Sequence, residues 1–333
     1  MKAWVIGKQA GLNSLEMKEH DVPIAGYGEA VIAVKACALN HRDLMIVSNR
    51  YGGSKPEYRI PLSDMAGEVV SVGEGAAKVK PGDRVSAAHF TAWIDGDWEP
   101  EYLNNDLGNS ADGVLAERIV VPAHCLFKLP KNLTYEQGAT LPVAGATVWS
   151  CVQKLGGIKA GDTVLLLGTG GVSVFGLQIA KMNGARAVIT SSSDEKLERM
   201  KILGADITIN YRSNPEWERE VIEKTGGVDI VVETGGTGTL GQSMASCAPN
   251  GRIGLIGALS QGEQPRLSNL LGKNLVLKGI TSGSRRMLQD FVNAIEVNGL
   301  DPVIDRVFDF DQARQAYGHL DSGSHIGKVV IKI

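Results

Sequence analysis

TVLLLGTGGVS, residues 163–173, is the segment of this chain that is most informative about its fold. Five residues of strand character run directly into a glycine-rich turn, and a segment of helical periodicity follows. Gly168 permits a tight turn, Gly170 lets the backbone approach a pyrophosphate, and the first amides of the helix supply donors and a positive dipole end. The stretch therefore predicts a dinucleotide-binding turn between a buried strand and a helix.

The glycine pattern departs at one position from the form GxGxxG, because Ser173 stands where the third glycine would be. Serine is small enough for the close packing of helix on strand that this position requires. A glycine turn that binds no nucleotide is the alternative, and the surrounding series of strands and helices favours the nucleotide. The turn supplies five candidate cofactor ligands, which are Gly168, Thr169, Gly170, Gly171 and Val172.

Outward from this turn, apolar strands alternate with helical segments through the second half of the chain. Such alternation at βα spacing predicts an α/β fold with a doubly wound parallel sheet. The predicted strands cover residues 163–167, 186–190, 206–210, 229–232, 252–256 and 275–280. A further helix near 291–297 and a last strand over 328–333 follow, and we expect this strand to return to the first domain.

The first 142 residues have a different pattern, with short period-two strands separated by Gly, Pro and Asp. Strands are predicted over residues 31–34, 67–72, 84–87 and 118–121. They indicate a largely antiparallel, barrel-like half, in which the turn Lys80-Pro-Gly-Asp83 joins two paired strands. Residues 92–112 are acidic and weakly periodic, which predicts a long loop, either a functional lobe or a surface excursion without a role in chemistry.

The second strand of the parallel sheet bears on the choice of cofactor. An acidic side chain about 20 residues after the glycine turn would bind the ribose hydroxyls of NAD. Here the strand ends in serines, and no acid comes before Asp194. A neutral pocket admits a 2′-phosphate, so NADPH is favoured over NADH. The candidate ligands here are Ser191, Ser192, Lys196 and Tyr211, with Arg212 nearby, and the alternative for Lys196 is a solvated helix position.

The composition excludes several classes of protein. The 34 Lys and Arg residues oppose 37 Asp and Glu residues, a formal net charge of −3, which argues against a nucleic-acid or membrane-surface binder and favours a small-molecule partner. The 4 cysteines are far apart and form no CxxC pair, so a reducing compartment is expected. No leader and no apolar run of about 18 residues is present, so we expect a cytoplasmic protein.

Family motifs recur along essentially the whole chain: CALNHRDL at 37–44, PLSDMAGEV at 61–69, VKPGDRV at 79–85, ATLPVAGAT at 139–147, the GTGGVS turn, and IGKVV at 326–330. Through them the sequence resembles the medium-chain dehydrogenase/reductase superfamily. The resemblance implies a split GroES-like catalytic domain over residues 1–143 and 282–333. It also implies an inserted Rossmann domain over residues 144–281, and a homodimer or homotetramer.

The zinc-dependent alcohol dehydrogenases of this superfamily hold a catalytic zinc with a Cys, a His and a second Cys. Those positions match Asn40, Ser63 and Val143 here. A catalytic zinc needs about three ligands of Cys, His or carboxylate type, so we expect no zinc at this site. The cysteines of the family's structural zinc lobe are also missing, because no cysteine occurs between Cys37 and Cys125.

The remaining features resemble the zinc-free quinone-oxidoreductase-like branch. That resemblance implies that Asn40 lies near the nicotinamide and the substrate, Thr147 beside the nicotinamide ring, and His41 near the pyrophosphate. His41 is the natural candidate for a proton donor, because imidazole titrates near neutrality, and the alternative is a histidine that only hydrogen-bonds phosphate or backbone. Asp64 replaces a family acid near the lost metal, and could orient Arg42 instead.

The catalytic candidates are therefore Asn40, His41 and Asp64, whereas the resemblance gives Asp43 a structural role in holding the Asn-His-Arg turn. Two segments at strand ends are expected to face the cofactor, and their candidate ligands are Gly257, Ala258, Gly283 and Arg285.

These expectations combine into one function with two alternatives. Hydride addition to a quinone or a conjugated enone gives a delocalised anion, which needs no Lewis acid, whereas oxidation of an unactivated alcohol deprotonates a much weaker acid. We therefore predict a zinc-independent NAD(P)H-dependent oxidoreductase of quinones, enones, enals or related carbonyls. A zinc-free alcohol dehydrogenase and a non-catalytic NADPH-binding sensor or structural protein are the alternatives.

Overall fold

The structure, a computed structural model, describes residues 1–8, 10–52 and 57–333. The described residues form two compact units. The first consists of Met1–Ala146 and Gly283–Ile333, and the second of Thr147–Ser282. The boundaries expected from sequence lie three residues earlier at the first junction and one residue earlier at the second.

The strands in chain order are β1 Lys2–Ile6, β2 Leu15–Glu19, β3 Glu29–Ala38, β4 Asp64–Val72, β5 Arg84–Ala87, β6 Arg118–Pro122, β7 Leu126–Lys128, β8 Thr163–Leu167, β9 Arg186–Ser191, β10 Ile207–Asn210, β11 Val228–Glu233, β12 Cys247–Leu255, β13 Val276–Gly279, β14 Ile304–Asp309 and β15 Lys328–Lys332. The helices are α1 His41–Val47, α2 Tyr135–Ala139, α3 Ala146–Lys154, α4 Gly171–Met182, α5 Asp194–Ile202, α6 Trp217–Thr225, α7 Leu240–Ser246, α8 Ser268–Gly272, α9 Arg285–Asn298 and α10 Ala313–Asp321. Leu141–Gly145 forms a π turn.

The second unit contains a six-stranded parallel sheet in the order β10-β9-β8-β11-β12-β13. The predicted doubly wound sheet is confirmed, with each of the six strands in place. Strand β12 begins at Cys247, before the predicted residue 252, because its first part pairs with Val228 across an irregularity in register. The strand order reverses between β8 and β11, and this point of reversal is where such sheets bind their ligands.

The central strands of this sheet are buried on both faces, as expected where helices cover a parallel sheet. Every residue of β8 is buried, and Val164, Leu165 and Leu166 have no exposed surface. Because no polar face remains, the strand has a continuous apolar sequence. That continuity is the pattern that identified it.

The first unit is built on a sheet with the order β14-β15-β3-β4-β5-β7, and β6 also pairs with β3. All of these pairs except β14 with β15 are antiparallel, which confirms the largely antiparallel pattern predicted for this half. The turn at 80–83 joins the antiparallel strands β4 and β5, and Gly82 adopts a φ of +86° there. The last strand, β15, pairs with β3 and so returns to the first unit as predicted.

The predicted long loop over residues 92–112 contains neither an α-helix nor a β-strand, only a 3-10 turn at Pro100–Asn105 and isolated bridges. Trp93 is buried and stacks on Tyr102, with ring centroids 5.7 Å apart. The segment is therefore packed in part by its own aromatic side chains.

All four cysteines are buried and unpaired. Across the three described ranges, none of the helices combines the length and the apolar character needed to cross a bilayer.

Candidate active site

The glycine-rich turn lies between β8 and α4, as the sequence predicts. Gly168 has a φ of +77°, which a residue with a side chain rarely adopts, and Gly170 is the N-cap of α4. The first amides of α4 have no carbonyl acceptor within the helix, and the helix dipole is positive at this end. The turn therefore fits a phosphate group, which would accept hydrogen bonds from these amides.

Ser173, which replaces the third glycine, keeps the helix close to the strand. Its hydroxyl donates a hydrogen bond of 2.6 Å to the carbonyl of Leu167, the last residue of β8. One turn further along α4, Gly176 lies directly against the side chain of Leu166. Ser173 therefore permits the close packing of helix on strand that was predicted for this position. Its hydroxyl group also has a hydrogen-bond acceptor, the carbonyl of Leu167.

The end of β9 carries a hydroxyl group and no acid. Ser191 is buried, and its Oγ accepts a hydrogen bond from the amide of Ser193, which in turn caps α5. The nearest acid, Asp194, accepts a hydrogen bond of 2.7 Å from the side-chain amide of Asn210 at the end of β10. The strand end itself therefore carries no ionised side chain.

Three other candidates lie around this neutral end. Ser192 is half-buried directly after β9, and Lys196 lies in the first turn of α5. The amide of Tyr211 donates to the carbonyl of Ser191, which places the tyrosine beside the same strand end. The structure thus brings together the residues that the sequence associated with the 2′-position of the ribose, and their role in binding stays a prediction.

Glu233, at the end of β11, is a residue that the sequence analysis did not identify. Its carboxylate is fully buried and accepts hydrogen bonds from the amides of Gly235 and Gly236, at 2.7 and 3.1 Å, and from the hydroxyls of Thr239 and Ser243. These four donors satisfy the charge without a cation. A lone acid at the end of an apolar strand and before a glycine pair was the available signal.

The anchored loop lies close to the predicted segment Gly257–Ala258. A Cβ atom on Gly236 would stand 2.8 Å from the Cα of Ala258, and Gly236 has a φ of +82°. Thr147 begins the second unit and is buried near the start of α3. Glu233 therefore anchors the loop that follows β11, and this loop lies against the segment in which Gly257 and Ala258 were predicted to contact the cofactor.

Gly283 and Arg285 belong to the first unit, whereas the other cofactor candidates belong to the second. The guanidinium of Arg285 donates two hydrogen bonds to the carbonyl of Leu126, at 3.1 and 3.0 Å. A Cβ atom on Gly283 would stand 2.8 Å from the carbonyl oxygen of Ala146. Both residues therefore have a packing role within their own unit, and their contact with a cofactor stays a prediction.

The first unit holds a buried polar cluster, which we call the Lys328 cluster and define as Asn40, Ser63, Asp64 and Lys328. Asn40 follows β3 and precedes α1, Ser63 and Asp64 lie at the start of β4, and Lys328 begins β15. These segments meet because β3 pairs with both β4 and β15. All four side chains are buried, and Lys328 is only 3% exposed.

The ammonium group of Lys328 makes three contacts in this cluster. Its Nζ donates to the carbonyl of Leu39 at 2.8 Å and to Oδ1 of Asn40 at 2.5 Å. Its third contact is with Oδ2 of Asp64, at 3.4 Å. Burial lowers the pKa of Lys328, and the negative charge of Asp64 opposes that change. Lys328 is the lysine of the IGKVV motif, and its role was not predicted from the sequence.

Asp64 is held by donors from three segments. Oδ1 accepts from the hydroxyl of Ser63 at 3.2 Å, and Oδ2 accepts from the amide of Val143 at 3.3 Å as well as from Lys328. The suggestion that Asp64 orients Arg42 is wrong. The cation beside Asp64 is Lys328, and Arg42 pairs with a different acid.

That acid is Asp106, from the loop over residues 92–112. Two nitrogens of Arg42 contact the two carboxylate oxygens, at 2.9 and 2.6 Å, in a buried bidentate pair. Nδ1 of His89 lies 2.9 Å from Oδ1, and Asn109 donates to Oδ2. Burial raises the pKa of Asp106, but Arg42 and His89 outweigh it and hold the pKa at about 2. The pair therefore anchors the loop to α1.

Asp43 holds the turn before α1, as the resemblance implied. Its Oδ2 accepts a hydrogen bond of 2.7 Å from the backbone amide of Asn40. Burial raises the pKa of Asp43 to about 7, against the opposing charge of Arg42. This acid fixes the backbone that carries the Asn40 side chain.

His41 is the first residue of α1 and has an exposed side chain. Partial desolvation lowers its pKa, and the charge of Arg50 lowers it further. The imidazole is therefore mainly neutral at pH 7. Its role as a proton donor stays a prediction.

The three positions that bind catalytic zinc in related enzymes provide a poor donor set. Asn40 offers an amide oxygen already bound to an ammonium group, Ser63 a hydroxyl bound to Asp64, and Val143 an alkyl side chain. Within the described ranges, no group of three or more His, Cys, Asp or Glu side chains could hold a metal ion. These residues do not fit a catalytic zinc, which requires Cys, His or carboxylate ligands.

Comparisons with known proteins agree with this architecture. Residues 26–131 match the family described as alcohol dehydrogenase GroES-like domain, and residues 171–297 match the family described as zinc-binding dehydrogenase. A zinc-type alcohol dehydrogenase-like protein of Schizosaccharomyces pombe is 42% identical over 97% of this chain and 96% of its own length. An acryloyl-coenzyme A reductase of Sulfurisphaera tokodaii is 28% identical, with 100% of both chains covered.

Two solved structures share the fold over the whole chain. A candidate alcohol dehydrogenase from Sinorhizobium meliloti 1021 is 38% identical with a TM-score of 0.93, covering 100% of this chain and 99% of that one. An NAD-dependent alcohol dehydrogenase is 33% identical with a TM-score of 0.91, covering 100% of both. With its GroES-like part, its nucleotide-binding dehydrogenase sheet and these relatives, the chain belongs to the medium-chain dehydrogenase/reductase superfamily of oxidoreductases.

Proposed function

We propose that the protein is a zinc-independent, NADPH-dependent reductase of quinones, enones, enals or related activated carbonyl compounds. The observation that carries this proposal is the contact between Lys328 and Asn40. At a position where zinc-dependent relatives have a metal ligand, this chain has an amide whose oxygen already accepts from a buried ammonium group. Because this amide is already bound to a cation of the protein, we expect the substrate carbonyl to be polarised by hydrogen bonds and not by a metal ion.

The preference for NADPH is supported by the neutral end of β9. A carboxylate at Ser191 would bind the ribose hydroxyls of NAD and repel a 2′-phosphate, whereas the buried serine does neither. Asp194 is engaged by Asn210. One solved relative is an NAD-dependent enzyme, so membership of the family does not by itself favour NADPH. The proposed preference for NADPH therefore rests on the residues of this chain at the end of β9.

Activated acceptors suit a site without a metal. The bound cofactor would supply a hydride to the β-carbon of an enal or enone. The C=C electron pair would then form a new double bond to the carbonyl carbon, the C=O pair would move to the oxygen, and a proton added at the α-carbon would complete the reduction. The protein then has to stabilise a delocalised enolate, which a single amide donor can do in a water-poor site. A relative named as an acryloyl-coenzyme A reductase supports acceptors with a conjugated C=C bond.

The test is an absorbance assay at 340 nm on metal-stripped protein with quinones, enals, enones, ketones and alcohols. We expect NADPH to be oxidised by at least one quinone, enal or enone, with the rate unchanged by a chelator or by added zinc. We also expect kcat/KM to be at least about tenfold higher with NADPH than with NADH.

Three results would contradict parts of this proposal. Activity that appears only when zinc is restored would exclude the zinc-independent mechanism. A higher kcat/KM with NADH would reverse the cofactor preference. Tight binding of NADPH without turnover on any acceptor would favour the sensor or structural alternative.

We also propose that the protein is a homo-oligomer that assembles along β13, the outer strand of the six-stranded sheet. Val276 on this strand is 51% exposed, and Leu271 in the adjacent α8 is 87% exposed. A second copy of the same strand, related by a two-fold axis, would pair with the edge and cover these side chains.

The mass in solution tests the homo-oligomer. We expect two or four times the chain mass of 35.4 kDa by light scattering, and a smaller species for Leu271→Asp. Ile202→Asp is the matched control, because Ile202 is 85% exposed but lies on α5, next to the opposite edge of the sheet. Equal masses for all three proteins would exclude assembly through this edge.

A further inference from the structure

We infer that Lys328 is a positioning residue that orients and polarises the side-chain amide of Asn40 toward the substrate oxygen. This inference rests on the proposed function, because it names the residue that allows Asn40 to do its part. It assigns a role to a lysine that lies 288 residues away from Asn40 in sequence.

The chemistry of the contact fixes the orientation of the amide. A lysine ammonium has three hydrogens and no acceptor, so the atom of Asn40 that meets it must be the carbonyl oxygen. The oxygen, Oδ1, lies 2.5 Å from Nζ. The amide nitrogen Nδ2 is therefore directed away from Lys328, and the two-fold ambiguity of an asparagine side chain does not arise here.

The amide nitrogen of Asn40 is a donor without an acceptor, which indicates that a ligand binds to it. Nδ2 of Asn40 is buried and has no hydrogen-bond partner within the part of the chain that the structure describes. Asn40 as a whole is 8% exposed. A buried donor without an acceptor is unfavourable, and such groups in native proteins commonly have a functional explanation. The carbonyl oxygen of a substrate, which becomes negatively charged on hydride addition, is an acceptor of the required kind.

The position of Lys328 is fixed at both ends. Its backbone begins β15, where the amide of Leu39 donates to the carbonyl of the next residue, Val329, at 3.0 Å. Its three hydrogens have three acceptors, on Leu39, Asn40 and Asp64. A cation held in this way polarises the amide it contacts, and hydrogen bonds in such a chain strengthen one another. The Nδ2 group thereby becomes a stronger donor.

The distances favour a role toward Asn40 over a simple ion pair. The contact of Nζ with Asn40 is the shortest of the three, and the contact with Asp64, at 3.4 Å, is the longest. Asp64 also accepts from the hydroxyl of Ser63 and the amide of Val143. The carboxylate balances the charge of the lysine, while the closest partner of the lysine is the amide.

The experiment is a double-mutant cycle on kcat and on the Kd for NADPH. Lys328→Met keeps the length of the side chain but removes the charge and the donors, and Asn40→Ala removes the amide. We expect Lys328→Met to lower kcat by roughly 10- to 100-fold, because the transition state loses an oriented donor, with the Kd for NADPH within about threefold. In the Asn40→Ala protein, the same substitution should change kcat by less than about threefold.

A second set of variants covers the case in which Lys328→Met does not fold. The cycle is then repeated in an Asp64→Asn background, where removal of the lysine leaves no unpaired buried charge. Each variant is compared with Asp64→Asn, and thermal unfolding checks that all of them are folded. The same dependence on Asn40 is expected.

The outcomes separate this inference from the proposed function. A wild-type protein that oxidises NADPH with none of the acceptors would overturn both. A wild-type protein that turns over, while Lys328→Met lowers kcat equally with and without Asn40, would show that the lysine acts structurally. That result, or a loss of less than about threefold in both backgrounds, would overturn the inference and leave the proposed function intact.

Discussion

The Gly170→Asp protein is expected to fold normally and to lose NADPH binding. Gly170 is the N-cap of α4 and has extended backbone angles, a φ of −76° and a ψ of −178°. Aspartate is among the preferred residues at such a position, so the helix should be at least as stable. Its carboxylate, however, would stand where we expect the pyrophosphate to bind. Two like charges about 4 Å apart at an effective dielectric constant of about 20 repel by about 4 kcal/mol, which corresponds to about a thousandfold in Kd.

Gly170→Asn is the matched control for this substitution. Asparagine has nearly the same shape and the same capping strength, but carries no charge. Fluorescence titration with NADPH measures Kd for both variants, and thermal unfolding measures their stability. If both variants lose binding to the same extent, the effect is steric and the electrostatic explanation fails. If Gly170→Asp binds NADPH as tightly as the wild type, the pyrophosphate does not lie at this turn.

The second large effect is expected from Asp106→Ala. The substitution leaves Arg42, which is 9% exposed, with its positive charge buried and without its bidentate partner. Breaking a buried pair by removing one member costs about 3–5 kcal/mol, because the remaining charge is not solvated. We expect a decrease of this size in the free energy of unfolding, measured by urea denaturation, together with weaker protection of the loop over residues 92–112 against proteolysis.

Asp290→Ala is the control, because Asp290 pairs with Arg286 on the exposed surface of α9. Surface pairs contribute at most about 1 kcal/mol, so this variant should unfold close to the wild type. The variant Arg42→Met with Asp106→Leu removes both charges, and we expect it to recover much of the stability lost in Asp106→Ala. Equal losses for Asp106→Ala and Asp290→Ala would show that the buried pair does not anchor the loop.

The parallel sheet and its glycine turn could be predicted because the interactions that specify them are local. A strand buried on both faces has a continuous apolar sequence, and the turn at Gly168 requires a glycine for its positive φ. The hydroxyl of Ser173 reaches only six residues back, to Leu167. The ends of the strands were predicted less accurately. At β12, for example, the first residue depends on an irregular pairing with Val228 of the neighbouring strand.

The polar contacts of the first unit could not be predicted in the same way. Asp64 was suggested as the partner of Arg42, but the sequence does not show that a loop 64 residues further along brings Asp106 to that arginine. Glu233 was missed because its partners are amides and hydroxyls whose positions depend on the shape of one loop.

From the amino-acid sequence, a glycine turn of the dinucleotide-binding type in a parallel sheet, a β-rich first part, and residues at 40, 63 and 143 that are unsuited to zinc could be predicted. Local backbone geometry is sufficient for the turn and the sheet, whereas the three zinc positions were identified through the resemblance to zinc-dependent relatives. The identity of the cation beside Asn40 became visible in the three-dimensional structure. Lys328 reaches Asn40 because β15 and β4 both pair with β3, and the pairing of distant strands is set by the packing of a whole sheet, which no local pattern specifies.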